Sequence, residues 1–205
     1  MIKVGLTGGY ASGKSFVAAE LERLGCFLIY ADRLGHQVLE PDGEAYAPTL
    51  EAFGQEILGS DRRIDRKKLA AVVFGAPELL EKLTSFVHPA VFRLEEKMLA
   101  GFESQNPNGI AVIEAAILIE TGRYKTFDRL ILTVCDEATQ VNRGMKRDSL
   151  SAEQVRQRMG RQMPVEEKTL YADYVVNTSG DKGETIRQVQ AIYQDLKALA
   201  ETKQA

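Results

Sequence analysis

Five short apolar runs, rich in β-branched residues, are spaced along the chain. They cover residues 2–7, 26–31, 109–115, 129–135 and 173–177, and apolar residues at helical spacing fill most of the intervals between them. Runs that are apolar almost throughout are typical of parallel strands covered on both faces. The pattern therefore predicts an α/β fold built on a five-stranded parallel sheet.

Two segments have the pattern of amphipathic helices that pack on such a sheet. The first begins around Gly13, stops at Gly25, a typical C-terminal glycine, and has an apolar face of Phe16, Val17, Leu21 and Leu24. The last helix is predicted to cover the sheet with residues at three- and four-residue steps: Ile186, Val189, Ile192, Leu196 and Leu199.

The interval between the second and third runs is almost 80 residues long, far more than one crossover helix needs. Helices are predicted over 66–74, 77–86 and 89–104, and Pro89 would occupy the first position of the last of these. The interval therefore predicts a mostly helical lobe inserted into the fold.

A second excursion, residues 137–172, carries a local excess of positive charge. Residues 142–162 have a net charge of +4. The whole chain has a net charge of −3, and this overall negative charge argues against a general nucleic-acid binder. A capping box of Ser151 and Gln154 predicts the start of a helix within the excursion.

Composition narrows the class of protein further. The chain has 205 residues, of which 44% are hydrophobic, enough for a real core. No run approaches the roughly 18 apolar residues of a membrane span, and no signal peptide is recognisable, so we expect a soluble cytoplasmic protein. The two cysteines, Cys26 and Cys135, lie in strand-like runs and are expected to be buried, reduced thiols.

The stretch GLTGGYASGKSF, residues 5–16, has the spacing of a phosphate-binding loop between a strand and a helix. Backbone N–H groups of such a loop surround phosphate oxygens, and the helix N-terminus adds its positive dipole end. Lys14 is predicted to reach the β- and γ-phosphates, and the Ser15 hydroxyl to coordinate Mg²⁺. The predicted nucleotide-binding residues are Gly8, Gly9, Tyr10, Ala11, Ser12, Gly13, Lys14, Ser15 and Phe16.

A phosphate-binding loop alone leaves three classes open: a small-molecule kinase, a GTPase-like switch, and a motor or ATPase module. Asp32 follows the second strand, at the sheet edge where ligands of open α/β folds bind. There it could accept the proton of an attacking hydroxyl group. It could instead cap a helix beginning at Arg33, and spacing alone favours that structural role.

Seven motifs, in order, give the chain a resemblance to dephospho-CoA kinases over nearly its whole length: GLTGGYASGKS, YADRLGHQVLEP, HP at 88–89, ILIE at 117–120, RGMKRD at 143–148, RMGRQM at 158–163 and ADYVVNTSG at 172–180. The resemblance implies ATP-dependent phosphorylation of the ribose 3′-hydroxyl of dephospho-CoA. It also implies a P-loop NTPase fold with a nucleotide-binding core (1–32, 107–138 and 172–205), a helical acceptor lobe (33–106) and a basic lid (139–171).

The resemblance assigns roles to residues of this chain. It makes Asp32 the general base and Arg147 a lid residue that neutralises the transferring phosphoryl group. For Arg143, Arg156, Arg158 and Arg161, a solvated helix face is an equal alternative. Asn177 and Gly180 belong to a loop that would hold adenine, although a turn without ligand uses the same residue types.

Other assignments concern the acceptor and the metal. Thr7, His36 and Arg143 are further candidates for substrate contact. For His88, a contact with the coenzyme moiety and a structural hydrogen bond are equal alternatives. Glu114 could hold the water shell of Mg²⁺, with a structural carboxylate as the alternative; Glu120 lies near the same strand end.

The chain departs from the family pattern at two positions. Tyr30 stands where the family usually has the first aspartate of Asp-Ala-Asp, and Ala116 stands where it commonly has proline. Because Lys14, Ser15 and Asp32 are kept, we expect an active enzyme. The alternatives are a non-catalytic ATP-binding module and another small-molecule or nucleotide kinase. The sequence is compatible with a monomer or a small homo-oligomer. We expect no nucleic-acid partner and no membrane partner.

Overall fold

The computed structural model describes residues 1–203, and these fold into α/β structure around one sheet. The strands are β1 Ile2–Gly8, β2 Phe27–Tyr30, β3 Ile110–Glu114, β4 Arg129–Val134 and β5 Tyr174–Asn177. The α-helices are α1 Lys14–Arg23, α2 Ala31–Gln37, α3 Tyr46–Phe53, α4 Arg66–Val73, α5 Pro77–Gln105, α6 Glu137–Asp148, α7 Ala152–Met159, α8 Val165–Thr169 and α9 Lys182–Thr202. Short 3₁₀ helices cover Gln55–Ile57 and Arg123–Thr126.

The five strands form one sheet in the order β2-β3-β1-β4-β5. Strand β1 pairs in parallel with β3 and β4, and β4 pairs in parallel with β5. Leu6 of β1 lies between Glu114 of β3 and Ile131 of β4, so the carboxyl ends of the central strands meet at one edge. The predicted α/β fold and its five strands are confirmed.

Helices α1 and α9 pack against each other and on the central strands. Helix α1 ends at Arg23, and Gly25 follows with a φ of +100°, a left-handed conformation that favours glycine. Helix α9 buries Val189, Ile192 and Leu196. Both predicted sheet-covering helices are therefore confirmed.

The chain divides into two compact units. One comprises residues 1–29 and 102 onward, and the other comprises Tyr30–Gly101. The second unit has its own apolar cluster, in which α3 and α4 bury Phe53, Leu69 and Val73. The domain boundaries expected from the sequence stay a prediction.

Helix α5 runs without interruption from Pro77 to Gln105, with Pro89 inside it. The prediction of two helices, with Pro89 opening the second, is therefore wrong. Proline removes one backbone hydrogen bond and costs about 3 kcal/mol within a helix. Apolar contacts hold the helix on both sides of it, because Leu83 and Phe86 pack on the second unit's core and Val91 is buried.

The two thiols differ in their surroundings. Cys26 is buried, and burial raises its pKa to about 12. Cys135 is only partly buried, so the expectation of two buried thiols is correct for Cys26 alone. Burial also raises the pKa of Cys135, which leaves both thiols protonated at neutral pH.

No helix within residues 1–203 combines the length and the apolar character needed to span a bilayer.

Candidate active site

The glycine-rich loop connects β1 to α1, and neighbouring residues approach two of its glycines closely. Gly13 precedes α1 with a φ of +88°, and a Cβ there would lie 2.9 Å from the Thr178 hydroxyl oxygen. A Cβ on Gly8 would lie 2.2 Å from the hydroxyl oxygen of Thr133. Both positions therefore require glycine, for close approach and, at Gly13, for its backbone conformation.

Two neighbouring elements set the shape of the loop. The hydroxyl groups of Ser12 and Thr133 lie 2.7 Å apart, which ties the loop to β4. The Thr178 hydroxyl donates to the carbonyl oxygen of Ser12 at 2.9 Å. Ala11, the residue before Ser12, has a φ of +54°, a strained conformation for a residue with a Cβ.

Lys14 and Ser15 occupy the first two positions of α1. The Lys14 ammonium group donates to the carbonyl oxygens of Gly8 and Gly9, at 3.0 Å each, so it lies across the loop. Ser15 is exposed at the start of the helix. Phe16 is half-buried, with the Lys182 ammonium group 5.7 Å from its ring centre.

The end of β3 and the turn that follows it lie beside β1. Glu114 is 8% exposed and pairs in register with Leu6. Thr7 is fully buried, and its hydroxyl donates to the carbonyl oxygen of Ala116 at 3.2 Å. The hydroxyl of Thr7 thus has a structural partner, and its contact with substrate stays a prediction.

Asp32 is an exposed residue in the first turn of α2. That helix begins at Ala31 and is preceded by Tyr30, which makes no side-chain cap. The alternative in which Asp32 caps a helix beginning at Arg33 is therefore wrong, because the helix starts two residues earlier. The positive end of the helix dipole favours a carboxylate at this position.

Tyr30, one of the two departures from the family pattern, has its ring in contact with the side chain of Arg33. The guanidinium carbon of Arg33 is 4.2 Å from the centre of the Tyr30 ring. The Tyr30 ring thus interacts with a cation through its π face. Because β2 ends at Tyr30 and Asp32 already belongs to α2, strand alternation does not relate the directions of the two side chains.

The two histidines belong to the second compact unit. His36 is exposed on α2, with its Nδ1 3.5 Å from a guanidinium nitrogen of Arg66. His88 is exposed within α5, with its ring centre 6.3 Å from that of Phe92. Neither alternative for His88 is tested by these surroundings.

Arg143 joins α6 to the loop after β5. Its guanidinium group donates to the Thr178 hydroxyl at 2.8 Å and to the Thr178 carbonyl oxygen at 2.6 Å. Asn177 accepts from the Ser179 N–H through its side chain, at 2.9 Å, and exchanges two main-chain bonds with the Gln188 amide. Gly180 follows directly, so the expected adenine loop is an ordered turn beside the phosphate-binding loop.

Arg147 and Arg158 converge on the Asp148 carboxylate. Arg147 donates through Nε at 2.9 Å and Nη2 at 3.0 Å, and Arg158 donates through Nη1 at 3.2 Å. Tyr10 of the phosphate-binding loop donates its hydroxyl to the same carboxylate. The Arg147 guanidinium and then the Tyr10 hydroxyl lower the pKa of Asp148 to about 2.

The two other arginines of the basic excursion face solvent. Arg156 is 58% exposed and pairs with Glu137 at 2.9 Å, and Arg161 is exposed. These surroundings favour the alternative of a solvated helix face for Arg156, whereas Arg161 lies in the turn after α7 and not on a helix. The predicted capping box is confirmed, since Ser151 and Gln154 exchange the two expected bonds.

Four contributors to the site were missed in the sequence. Gln140 donates to the Tyr10 carbonyl oxygen at 2.9 Å, and Gln162 accepts from the Tyr10 N–H at 2.6 Å. Thr178 supports Ser12, as described above, and Lys168 is fully buried with its ammonium group 2.7 Å from Glu120. Thr178 and Gln162 lay within recognised motifs, whereas Gln140 and Lys168 had no local signal.

A glycine-rich loop at the carboxyl edge of a parallel sheet, with Lys14 across it and arginine-bearing helices beside it, defines a P-loop phosphotransferase. The family model described as dephospho-CoA kinase matches residues 2–184. The chain belongs to the dephospho-CoA kinase family, and the resemblance inferred from the motifs is confirmed.

Proteins similar to this chain include a curated dephospho-CoA kinase and two solved structures. The dephospho-CoA kinase of Syntrophus aciditrophicus (strain SB) is 38% identical over 196 residues, which cover 96% of this chain and 83% of that protein. The crystal structure of TT1252 from Thermus thermophilus has a TM-score of 0.80 and 32% identity, covering 95% of this chain and 97% of that one. Dephospho-CoA kinase from Campylobacter jejuni shares the fold, with a TM-score of 0.72 and 24% identity over 96% of this chain and 97% of that one.

Proposed function

We propose that this chain transfers the γ-phosphoryl group of ATP to the ribose 3′-hydroxyl of dephospho-CoA, giving coenzyme A and ADP. The observation that carries the proposal is the intact phosphate-binding loop, with Lys14 across the carbonyl oxygens of Gly8 and Gly9, in a chain that matches the family over residues 2–184. Phosphate oxygens would compete for the same lysine hydrogen atoms.

The residues around the loop fit a nucleotide–Mg²⁺ complex. Ser15 places an exposed hydroxyl at the start of α1, and Glu114 ends the neighbouring strand β3. Mg²⁺ keeps several waters and takes few protein ligands, so one hydroxyl and one carboxylate acting through water suffice. The metal would neutralise charge on the phosphates, while Lys14 orients them.

Asp32 is the proposed general base for the acceptor hydroxyl. Its exposed carboxylate follows β2 directly, and a positioned carboxylate accepts the proton as the phosphoryl group moves. His36, His88 and Thr7 are proposed to contact the acceptor, and His88 keeps its structural alternative.

The basic helices are proposed to act on the phosphoryl group. Arg147 presents a guanidinium group near the loop, and Arg143 lies beside the turn that contains Asn177 and Gly180. Cations at these places would stabilise charge that develops in the transition state, and the turn would hold adenine. We further propose that residues 139–171 form the lid, that residues 33–106 bind the acceptor, and that the enzyme acts in the cytoplasm as a monomer or small homo-oligomer.

Product identification with ATP and Mg²⁺ tests the reaction. The acceptors to compare are dephospho-CoA, a nucleoside monophosphate and shikimate, with ADP release coupled to a spectrophotometric readout and the product identified by mass. Turnover on dephospho-CoA at least tenfold faster than on the other two supports the proposal. ATP binding without acceptor-dependent turnover would indicate the non-catalytic alternative, and faster turnover on another acceptor would indicate a different kinase.

Lys14→Ala tests the nucleotide site separately. Removing the ammonium group should weaken ATP binding and lower kcat together, because the same group meets phosphate in the ground state and in the transition state. Lys197→Ala, which changes an exposed lysine of α9 away from the loop, is the matched control. Equal ATP affinity in wild type and Lys14→Ala would contradict the assignment.

A further inference from the structure

Tyr10 connects the phosphate-binding loop to the lid segment, residues 139–171. It is only half-buried, so it is not a core residue of the sheet. Its backbone N–H donates to the side-chain oxygen of Gln162 at 2.6 Å, and its carbonyl oxygen accepts from the side-chain nitrogen of Gln140 at 2.9 Å. Two residues of the lid segment thus bind the backbone of one loop residue.

The side chain of Tyr10 makes a second set of contacts with the lid segment. Its ring lies against the backbone of α6, where a Cβ on Gly144 would come within 2.7 Å of the ring edge. The guanidinium carbons of Arg147 and Arg158 lie 4.8 Å and 5.7 Å from the ring centre, within the range of cation–π attraction. The hydroxyl donates to Asp148.

Asp148 orients both arginines and still leaves donors for a ligand. A guanidinium group has five N–H donors. Asp148 accepts from two nitrogens of Arg147 and one nitrogen of Arg158. The hydroxyl bond from Tyr10 fixes the carboxylate in turn, so the direction of both guanidinium groups depends on Tyr10.

We propose that Tyr10 is a positioning residue that docks the lid segment on the phosphate-binding loop and, through Asp148, orients Arg147 and Arg158 toward the transferring phosphoryl group. The part that concerns phosphoryl transfer rests on the proposed function. The part that concerns docking does not, because the contacts exist within the protein itself. A ring that only filled space would need neither its hydroxyl group nor the two cations.

Steady-state kinetics on dephospho-CoA test the orientation. Tyr10→Phe keeps the ring and loses the hydroxyl bond, so kcat should fall about 5-fold, the effect of one net hydrogen bond, while KM for ATP changes less than 2-fold. Tyr10→Leu also loses both cation–π contacts, and kcat should fall roughly 25-fold. Tyr193→Phe, on α9 and outside the site, is the control and should match wild type.

A double-mutant cycle tests whether Tyr10 acts through Asp148. Asp148→Ala should lower kcat, and Tyr10→Phe combined with Asp148→Ala should be no slower than Asp148→Ala alone, because the acceptor of the Tyr10 hydroxyl is already removed. Independent, multiplying effects would overturn the proposal. So would Tyr10→Phe with wild-type kcat.

Limited proteolysis tests the docking without reference to catalysis. Trypsin cleaves after lysine and arginine, and the lid segment offers Arg156, Arg158 and Arg161. Tyr10→Leu should be cleaved there at least 3-fold faster than wild type and Tyr193→Phe, with an unchanged circular dichroism spectrum. Equal cleavage would overturn the docking. An inactive wild type with the faster cleavage of Tyr10→Leu would overturn the proposed function and leave the docking supported.

Discussion

The buried ion pair between Lys168 and Glu120 should respond unequally to the loss of its two members. The Lys168 side chain is 1% exposed and that of Glu120 is 22% exposed, with 2.7 Å between the charged atoms. Lys168 lies on α8 and also contacts the carbonyl oxygen of Ala116 at 3.5 Å, while Glu120 accepts from the Met163 N–H at 3.4 Å. The pair therefore anchors α8 to the turn that follows β3.

The expected decrease in the free energy of unfolding depends on which charged group remains without its partner. Glu120→Gln leaves the lysine charge fully buried without a counter-charge, and breaking a buried pair costs about 3 kcal/mol at the lower end. Lys168→Met leaves a carboxylate that already reaches water, so we expect about 1 kcal/mol. In a chain of this size, these values correspond to Tm decreases of about 6–12 °C and about 2–4 °C.

Thermal unfolding followed by circular dichroism at pH 7 measures both variants. Glu137→Gln is the matched control, because Arg156 and Glu137 are 58% and 65% exposed. An exposed pair worth about 0.5 kcal/mol or less should change Tm by about 2 °C or less. A larger Tm decrease in Lys168→Met than in Glu120→Gln would refute the reasoning. So would a value within 1 °C of wild type for both.

Three further predictions concern the base, the loop and the lid. Asp32→Asn should keep ATP affinity and lower kcat by roughly 10²-fold, since a positioned base contributes at least that factor; near-wild-type turnover would remove Asp32 from the role. Ala11→Gly should raise Tm by about 1–3 °C, because glycine relieves the strain of a φ of +54°, and a lower Tm would show that chain entropy outweighs strain. The pKa of Asp148 is lowered to about 2, so the ionised carboxylate stabilises the fold above about pH 4 and this stabilisation is lost as pH falls toward 2. Asp148→Asn should therefore reduce the dependence of unfolding on pH between about 4 and 2. An unchanged acid-unfolding curve would contradict the ion-pair assignment.

The sequence predicted the sheet, its covering helices and the phosphate-binding loop because each has a short-range pattern. Gly13, Lys14 and Ser15 work at fixed spacing on one turn of chain, between a strand and a helix. The break at Pro89 was predicted by the same local reasoning and was wrong. Leu83 and Phe86 pack on the apolar cluster of their unit and Val91 is buried, so one helix continues across the proline.

The chain by itself therefore determined the class of fold, the family and the position of the glycine-rich loop, because these depend on neighbours in sequence. Only the tertiary structure revealed how the loop is held. The partners of Tyr10 are Gln140, Asp148 and Gln162, which lie 130, 138 and 152 residues away. The pairing of these residues with Tyr10 has no pattern in the sequence, because their hydrogen bonds form only when the folded sheet brings residues 139–171 to the loop.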